Sequence, residues 1–489
     1  MTRQINAKPH VVIVGGGLSG LTTAFYLQRA IADIQLSILE SAPQIGGVIQ
    51  TEQMDGYLVE HGADMFATQP GDAFQLCQDL GIEEELLVPN VEGRGAMIVR
   101  GDQLHPVPEG FVLMRPTRTA SILKTPLLSL SGKMRLLGER WIATRKETTD
   151  ESVADFTRRR LGQETLDRIV QPLVGGIYTA DHEQLSMAAT MPTFVNMERQ
   201  HTSLAAATAA RQRRSEDSPE RNSSGARYSQ FRGFPKGMSS WLQTIADRLP
   251  KDAMRLQTSV RSVTPTATEG HDQRWDVETS EGKLPQADAV VLATPAAAAA
   301  KLCAPFASSI AEPLSSLKTA SSVITIIAAA NKDIARLPKT FGFVVPAAES
   351  KSILACSFAN HKFAGRCPED TTLMRIFMGG ALRTDLLERT DAELLALIRE
   401  ELGTWIGWNG KAIWTKAVRW NNAMPQYHVG HLDRVGKIES GLAAYPTMAL
   451  AGNSLHGVGI APVIRTAKQA AARIAASLAV DSESGVPKP

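Results

Sequence analysis

The chain has little cysteine and no long hydrophobic run. It contains four cysteines in 489 residues, with neither a C-x-x-C pair nor metal-ligand spacing. We therefore expect free thiols in a reducing compartment and no metal site. The longest uncharged apolar stretch, residues 289–300, contains Pro295 and is shorter than the roughly 20 residues of a transmembrane helix. The first residues lack an apolar signal core, so we expect a cytoplasmic protein.

The chain also lacks an excess of charge of either sign. Its formal net charge is +2, and aromatic residues, at 6%, do not interleave with a basic stripe. This composition argues against nucleic-acid binding, which usually requires a basic face. The hydrophobic fraction of 43% and the charged fraction of 21% indicate a globular protein of two or three domains.

One region is nevertheless strongly basic. Residues 110–146 carry lysine and arginine side chains among apolar ones, with Glu139 as the single acid. Such a mixture suits a surface that rests on anionic lipid, which would place the protein peripherally on the inner face of the membrane, or one that admits an anionic substrate. An ordinary helix pair with a solvated basic face is an equally good interpretation.

The N-terminal segment predicts a dinucleotide site. Residues 11–14 form a short β-prone apolar run, and Gly15, Gly17 and Gly20 follow with G-x-G-x-x-G spacing before a helix-forming stretch. Glycines at these positions allow a tight turn, close approach of a pyrophosphate and close packing of helix on strand. Glu40 ends the next apolar run, where a carboxylate that accepts ribose hydroxyls is expected.

Later segments identify the dinucleotide. A Gly-Gly pair at 46–47 comes soon after Glu40, and residues 449–460 read as a strand followed by a glycine-rich turn and a long helix. With the buried strand at 288–295, this order resembles the flavin amine oxidase superfamily, in which these segments enclose FAD. Gln44 stands where that superfamily usually has arginine.

Five further stretches resemble the oxygen-dependent protoporphyrinogen and coproporphyrinogen oxidase family. They are residues 173–181, 185–187, 234–238, 424–431 and 452–454, and the M-P-Q-Y-x-x-G-H run at 424–431 is the most specific. The resemblance implies oxidation of protoporphyrinogen IX to protoporphyrin IX, or of coproporphyrinogen III to coproporphyrin III. The reaction uses FAD and O2, yields H2O2 and belongs to haem biosynthesis. The substrate preference and a homodimer stay open.

The resemblance also implies the site residues. No side chain is expected to be catalytic, because the flavin carries the redox chemistry. The residues expected to contact FAD are Gly15, Gly16, Gly17, Leu18, Ser19, Gly20, Glu40, Ser41, Gly46, Gly47, Gly62, Ala63, Asp64, Met65, Val260, Trp420, Gly452, Val458, Gly459 and Ile460. Arg94 is the expected propionate anchor, with Arg100 as its rival, and Phe341, Val344 and Phe377 are the expected walls of an apolar slot. Each of these five could instead be an ordinary surface or core residue.

The expected fold is α/β, with a discontinuous Rossmann-like FAD-binding domain, a β-sheet substrate domain and an inserted helical domain. A helix at 391–406 is predicted to begin at Thr390 or Asp391 and to end near Gly407. The predicted domain ranges are 1–91, 231–300 and 445–480 for FAD, 92–109 and 301–444 for substrate, and 110–230 for the helical domain, with a mobile loop at 211–228.

Three alternatives remain at the level of the sequence. An amine oxidase or a carotenoid desaturase would share the cofactor-binding segments, and a non-catalytic carrier of FAD or a prenyl group would retain them without turnover. Amine oxidases commonly carry a covalent cysteine near the C-terminus, whereas the last cysteine here is Cys367.

Overall fold

The computed structural model describes residues 8–213, 228–266 and 273–483. The strands, β1 to β21 in chain order, are His10–Val14, Gln35–Leu39, Thr51–Met54, Tyr57–Glu60, Phe66–Ala67, Met97–Arg100, Gln103–Pro106, Phe111–Val112, Arg115–Pro116, Phe231–Arg232, Met254–Arg255, Val260–Pro265, Trp275–Thr279, Gly282–Lys283, Ala289–Leu292, Lys318–Ala330, Gly342–Val344, Ile353–Phe358, Thr371–Gly379, Ala412–Gln426 and Met448–Leu450.

The α-helices, α1 to α17, are Leu18–Ala30, Asp72–Leu80, Thr119–Lys124, Leu130–Leu137, Val153–Leu161, Gln163–Thr165, Gln171–Tyr178, Met187–Thr190, Pro192–His201, Leu204–Arg213, Met238–Asp247, Ala296–Cys303, Ser308–Ser316, Ala359–Lys362, Asp391–Ile406, His431–Leu442 and Ile460–Glu483. None of the helices in the described part of the chain is long and apolar enough to cross a membrane.

A five-stranded parallel sheet unites distant parts of the chain. Its strand order is β11-β2-β1-β15-β21. Both faces of β1 are covered, and its residues are all buried, as parallel sheets require. Helices α1 and α17 pack together over one face, in a core that includes Leu21, Phe25 and Ile464. The first and last helices of the fold therefore lie side by side at this sheet.

The second large sheet is mixed and has seven strands, in the order β20-β16-β19-β18-β17-β6-β7. Its pairs are antiparallel except for β17 with β6, which run parallel. Helix α15 covers one face through Leu394, Ile398 and Leu402. The capping box of Thr390 and Glu393 begins this helix, and Gly407 in a left-handed conformation ends it, so the predicted bounds are confirmed.

Helices α3 to α5 and α7 to α10 contribute to a third core, which includes Phe156, Ile169 and Phe194. This region starts with the short strand pair of β8 and β9 rather than with a helix. The loop predicted at 211–228 begins too early, because α10 continues to Arg213; residues 214–227 lie outside the described residues. The α/β fold class is confirmed, and the exact domain boundaries stay a prediction.

Candidate cofactor and substrate site

The first glycine turn is closed too tightly for side chains. Gly15 has φ +113°, and a Cβ there would lie 2.6 Å from the carbonyl oxygen of Ala293. A Cβ on Gly20 would lie 1.9 Å from the carbonyl oxygen of Gly15. Helix α1 therefore packs directly on the turn that follows β1, and any residue other than glycine at position 20 forces the two apart.

The start of helix α1 faces the Gly-Gly pair. Gly17 is its N-cap, and no side chain caps the helix. The first three helical residues, Leu18, Ser19 and Gly20, are buried. The amide of Gly46 donates to the carbonyl of Gly16 at 3.0 Å, and a Cβ on Gly47 would be 3.6 Å from the Cα of Gly17. Uncapped amides at a helix start, bordered by bare backbone, suit a pyrophosphate.

Glu40 lies at the end of β2 and faces the same turn. Its carboxylate accepts hydrogen bonds from the amide of Gly16 at 2.8 Å and the amide of Ala42 at 2.8 Å. The hydroxyl of Ser41 also reaches it, at 3.3 Å. The amide of Thr258 donates to the carbonyl of Glu40, which brings Val260, two residues further on, to this end of the site.

The segment from Gly62 to Met65 is fixed by charges from helix α14 and strand β19. Asp64 pairs with Lys362 at 2.7 Å and with Arg375 at 2.9 Å, and Arg375 also donates to the carbonyl of Gly62. Burial alone would raise the pKa of Asp64, but the two cations hold it well below its usual range. Burial lowers the pKa of Lys362. These contacts attach the segment after β4 to the seven-stranded sheet and to α14.

Trp420 reinforces this connection from strand β20. Its indole Nε1 donates to the carbonyl of His61 at 2.8 Å, directly before Gly62. The ring is half-buried and packs against the same apolar cluster as Phe377. Trp420 therefore lies at the boundary between the seven-stranded sheet and the segment expected to contact FAD.

The C-terminal turn closes the opposite side. Gly452 has φ +137°, and a Cβ there would lie 3.9 Å from the hydroxyl oxygen of Ser19. Its amide donates to the hydroxyl of Thr466 at 3.0 Å. The turn continues through Val458 and Gly459 into α17 at Ile460. Segments more than 400 residues apart in sequence thus form one glycine-lined surface at the carboxyl ends of parallel strands, which is where nucleotides bind in open α/β sheets.

A family comparison identifies the cofactor of this protein. The model of the family described as flavin containing amine oxidoreductase matches residues 18–475. The chain belongs to this flavin-dependent family. FAD is its cofactor. The uncapped start of α1 and the glycine contacts around it fit the pyrophosphate of that cofactor, and Glu40 fits its ribose.

Named relatives extend the comparison over the whole chain. Coproporphyrinogen III oxidase of Bacillus subtilis (strain 168) is 32% identical over 95% of this chain and 97% of its own length. Coproporphyrinogen III oxidase of Propionibacterium freudenreichii subsp. freudenreichii is 32% identical over 94% of this chain and 90% of its own length. A crystal structure from Exiguobacterium sp. 255-15, provisionally named a protoporphyrinogen oxidase, is 28% identical with a TM-score of 0.83, covering 96% of this chain and 99% of that one.

The expected substrate residues of this flavoprotein lie in or beside strands β6, β17 and β19 of the seven-stranded sheet. The half-buried Arg94 donates to the carbonyls of Asn90 at 3.0 Å and Pro89 at 2.8 Å. Exposed Arg100 donates to the carbonyl of Pro126. Both guanidinium groups donate to backbone carbonyls, and these hydrogen bonds do not distinguish Arg94 from Arg100 as a ligand-binding residue. The choice of propionate anchor therefore stays a prediction.

The three expected slot walls differ in their surroundings. Phe341 is buried, as a core residue would be. Half-buried Val344 lies against α7, where a Cβ on Gly176 would be 3.3 Å from its Cγ1. Half-buried Phe377 carries the guanidinium of Arg375 5.3 Å from its ring centre. Val344 and Phe377 therefore retain exposed apolar surface, whereas Phe341 is positioned to support the sheet.

Sequence reasoning missed Lys362, Arg375 and the role of Tyr427. Arg375 lies two residues before Phe377 on β19, so its side chain shares a face with a residue that was singled out. The tyrosine belongs to the M-P-Q-Y-x-x-G-H run, and its hydroxyl contacts the C-terminal turn. A polar residue inside a specific motif was the available signal for Tyr427; nothing in the sequence pairs Lys362 with Asp64.

Proposed function

We propose that this protein is an FAD-dependent, oxygen-dependent porphyrinogen oxidase of haem biosynthesis, with coproporphyrinogen III as its preferred substrate. The observation that carries the proposal is the joining of the first and last glycine turns beside the seven-stranded sheet. The full-length similarity to two proteins named coproporphyrinogen III oxidase supports the substrate. Protoporphyrinogen IX is the second candidate, favoured by the name given to the similar Exiguobacterium structure.

The protein residues bind and orient, whereas the cofactor supplies the redox chemistry. FAD, held by the two glycine turns, would supply two-electron oxidation of the macrocycle, with O2 as the final acceptor. Three such oxidations convert one porphyrinogen to one porphyrin with three H2O2. The substrate carbon is electron-rich, so no acid and base at fixed spacing are required. The glycine turns hold the pyrophosphate, and Val344 and Phe377 offer apolar surface to the ring.

Parallel turnover of the two porphyrinogens tests the function. Purified protein with saturating FAD is mixed under air with coproporphyrinogen III or protoporphyrinogen IX, and porphyrin fluorescence and H2O2 are followed. We expect faster turnover of coproporphyrinogen III and about three H2O2 per porphyrin, the ratio that two-electron steps demand. A yellow protein that oxidises neither substrate, but does oxidise an amine, would replace the proposal with the amine oxidase alternative.

We also propose a peripheral contact between residues 110–146 and anionic lipid. Apolar side chains project from this basic region into solvent: Leu123, Leu130, Met134 and Trp141 are 50%, 75%, 62% and 76% exposed. The guanidinium of Arg140 lies 5.0 Å from the ring centre of Trp141. Exposed apolar residues among cations are typical of surfaces that dip into an anionic headgroup layer.

Vesicle sedimentation distinguishes this contact from a solvated basic face. We expect binding to vesicles that contain phosphatidylglycerol, weaker binding to pure phosphatidylcholine, and loss of binding when Leu130→Ser and Trp141→Ser are combined. Val91→Ser is the matched control, because Val91 is 77% exposed but lies outside the region. Equal sedimentation of all three proteins with both vesicle types would exclude the proposed contact.

A further inference from the structure

The M-P-Q-Y-x-x-G-H segment, residues 424–431, lies where three parts of the molecule meet. It ends the long strand β20 of the seven-stranded sheet. The amide of Ser186, in the helical region, donates to the carbonyl of Tyr427 at 2.7 Å, and the amide of Val429 donates to the carbonyl of Gln184 at 2.9 Å. Backbone hydrogen bonds to the helical region therefore fix the position of this segment.

The side chain of Tyr427 reaches the C-terminal turn. Its hydroxyl donates to the carbonyl of Asn453 and accepts from the amide of Gly457 at 2.8 Å. The residue is 2% exposed. Burial raises the pKa of its hydroxyl, so the proton remains on the oxygen and the group keeps both its donor and its acceptor role.

His431 supports the tyrosine from the same segment. The two rings stack with centres 3.9 Å apart and planes inclined by 13°. The imidazole Nε2 lies 2.8 Å from the carbonyl oxygen of Leu455, and burial lowers the pKa of this histidine. Of the two neutral tautomers, the one with a hydrogen on Nε2 donates to this carbonyl.

These two side chains supply the hydrogen bonds of the turn backbone. Within the described residues, the backbone hydrogen bonds of 453–457 go to Tyr427 and His431. The turn is flanked by Gly452 and contains Gly457 at φ +130°; glycine adopts such conformations freely and does not fix them by itself. The conformation of the turn therefore depends on Tyr427 and His431.

We propose that Tyr427 is a positioning residue for the flavin, acting through the turn at 453–457. Its hydroxyl holds this turn so that Val458, Gly459 and the start of α17 face the cofactor, and its backbone attaches that arrangement to the sheet expected to carry the substrate. The inference rests on the proposed function for the location of the flavin, and it assigns no chemical step to the tyrosine.

The variant Tyr427→Phe tests the hydroxyl alone. We expect FAD to bind roughly 5- to 100-fold more weakly, as two lost hydrogen bonds predict. We also expect a changed visible absorption and circular dichroism of the bound flavin. The KM for coproporphyrinogen III should change less than the FAD affinity, because the hydroxyl of Tyr427 contacts the turn at 453–457.

Tyr445→Phe is the matched control. The hydroxyl of Tyr445 also donates to a backbone carbonyl, that of Phe306 at 2.8 Å, rather than to the turn at 453–457. Its ring lies in an aromatic cluster with Trp275 and Phe306. This variant removes a comparable hydrogen bond, so it should lose stability without altering the flavin spectrum. Wild-type FAD affinity and spectrum in Tyr427→Phe would overturn the inference.

Two further outcomes separate the inference from the function on which it rests. If the wild-type protein binds FAD but oxidises no porphyrinogen, weaker FAD binding by Tyr427→Phe still supports the positioning role. If Tyr427→Phe does not fold, His431→Gln decides: weaker FAD binding with an altered flavin spectrum supports a turn held by this segment. Unchanged binding in that variant overturns it.

Discussion

The absence of a side chain at Gly20 permits the close packing of helix α1 on the turn that follows β1. The missing Cβ would lie 1.9 Å from the carbonyl oxygen of Gly15, so backbone has to move when alanine is introduced. We expect Gly20→Ala to lose about 1–3 kcal/mol of stability, as overpacked sites do, and to be purified with little FAD.

Thermal unfolding and the ratio of flavin to protein absorbance measure both effects. Gly436→Ala serves as the control, because Gly436 lies within helix α16 with nothing within 4 Å of its missing Cβ. Alanine there should leave the flavin content unchanged and favour the helix slightly. Equal flavin content in Gly20→Ala and the wild-type protein would contradict the close contact between Gly20 and Gly15 described for this turn.

Arg94 is the residue expected to bind a propionate. Arg94→Ala should raise the KM for coproporphyrinogen III about 10- to 100-fold, the effect of losing a hydrogen-bonded charge pair, while kcat changes less. Steady-state kinetics of Arg94→Ala and Arg100→Ala compare the two candidate anchors. A raised KM in Arg100→Ala alone would transfer the role to Arg100.

At the residue scale, a motif of residues close together in the sequence was predictable, whereas side-chain pairs far apart in the sequence were not. The spacing of Gly15, Gly17 and Gly20 is local. The structure places Gly15 and Gly17 between β1 and α1 and Gly20 at the start of α1, with Glu40 facing the turn. The partners of Asp64 come from β19 and the helix before it, about 300 residues away. No local pattern specifies such a pairing, because it depends on how the segment after β4 packs against β19 and α14 in the complete fold.

Single elements were predictable where their ends carry chemical signals. Helix α15 begins with the Thr390–Glu393 capping box and ends at Gly407, and both signals are visible in the sequence. The end of α10 carries no such signal: polar residues after residue 210 favoured a loop, but the helix continues to Arg213. Arginine and glutamine are good helix formers, which explains this error.

The approach of α7 to β17 provides a test at the scale of elements. A Cβ on Gly176 would already be 3.3 Å from the Cγ1 of Val344, so a larger side chain there has to separate helix from strand or fill the apolar space beside them. We expect Gly176→Val to raise the KM for coproporphyrinogen III at least several-fold, since overpacking displaces neighbours, and to retain FAD. Loss of FAD together with activity would instead mean that this contact supports the cofactor domain.

On the scale of the whole molecule, the parallel sheet and the presence of a second sheet were predictable, whereas the strand order of that mixed sheet was not. The apolar runs at 11–14, 288–295 and 449–451 belong to a familiar order of motifs, and they form neighbouring strands β1, β15 and β21. Strand β6 instead pairs with β17, which follows more than 240 residues later. Pairing of this kind is fixed by the packing of the complete sheet rather than by either strand.

Burial of several histidines gives the whole molecule a defined response to acid. Burial lowers the pKa of His10, His61, His428 and His431 in the folded protein. Unfolded histidine has a pKa of about 6.5. When the pH falls below this value, the unfolded chain takes up protons that the folded chain resists, so stability present above about pH 6.5 is lost on acidification.

Urea unfolding at saturating FAD between about pH 8 and 5.5 measures this loss. We expect the free energy of unfolding to fall with decreasing pH, with each histidine contributing at most about 1.4 kcal/mol per pH unit. His10→Gln should make the dependence shallower, because it removes one such group whose Nε2 lies 2.9 Å from the hydroxyl of Ser37 and far in sequence from the proposed substrate residues. Constant stability over this range would require these side chains to be protonated equally well in both states, which contradicts their burial in the fold.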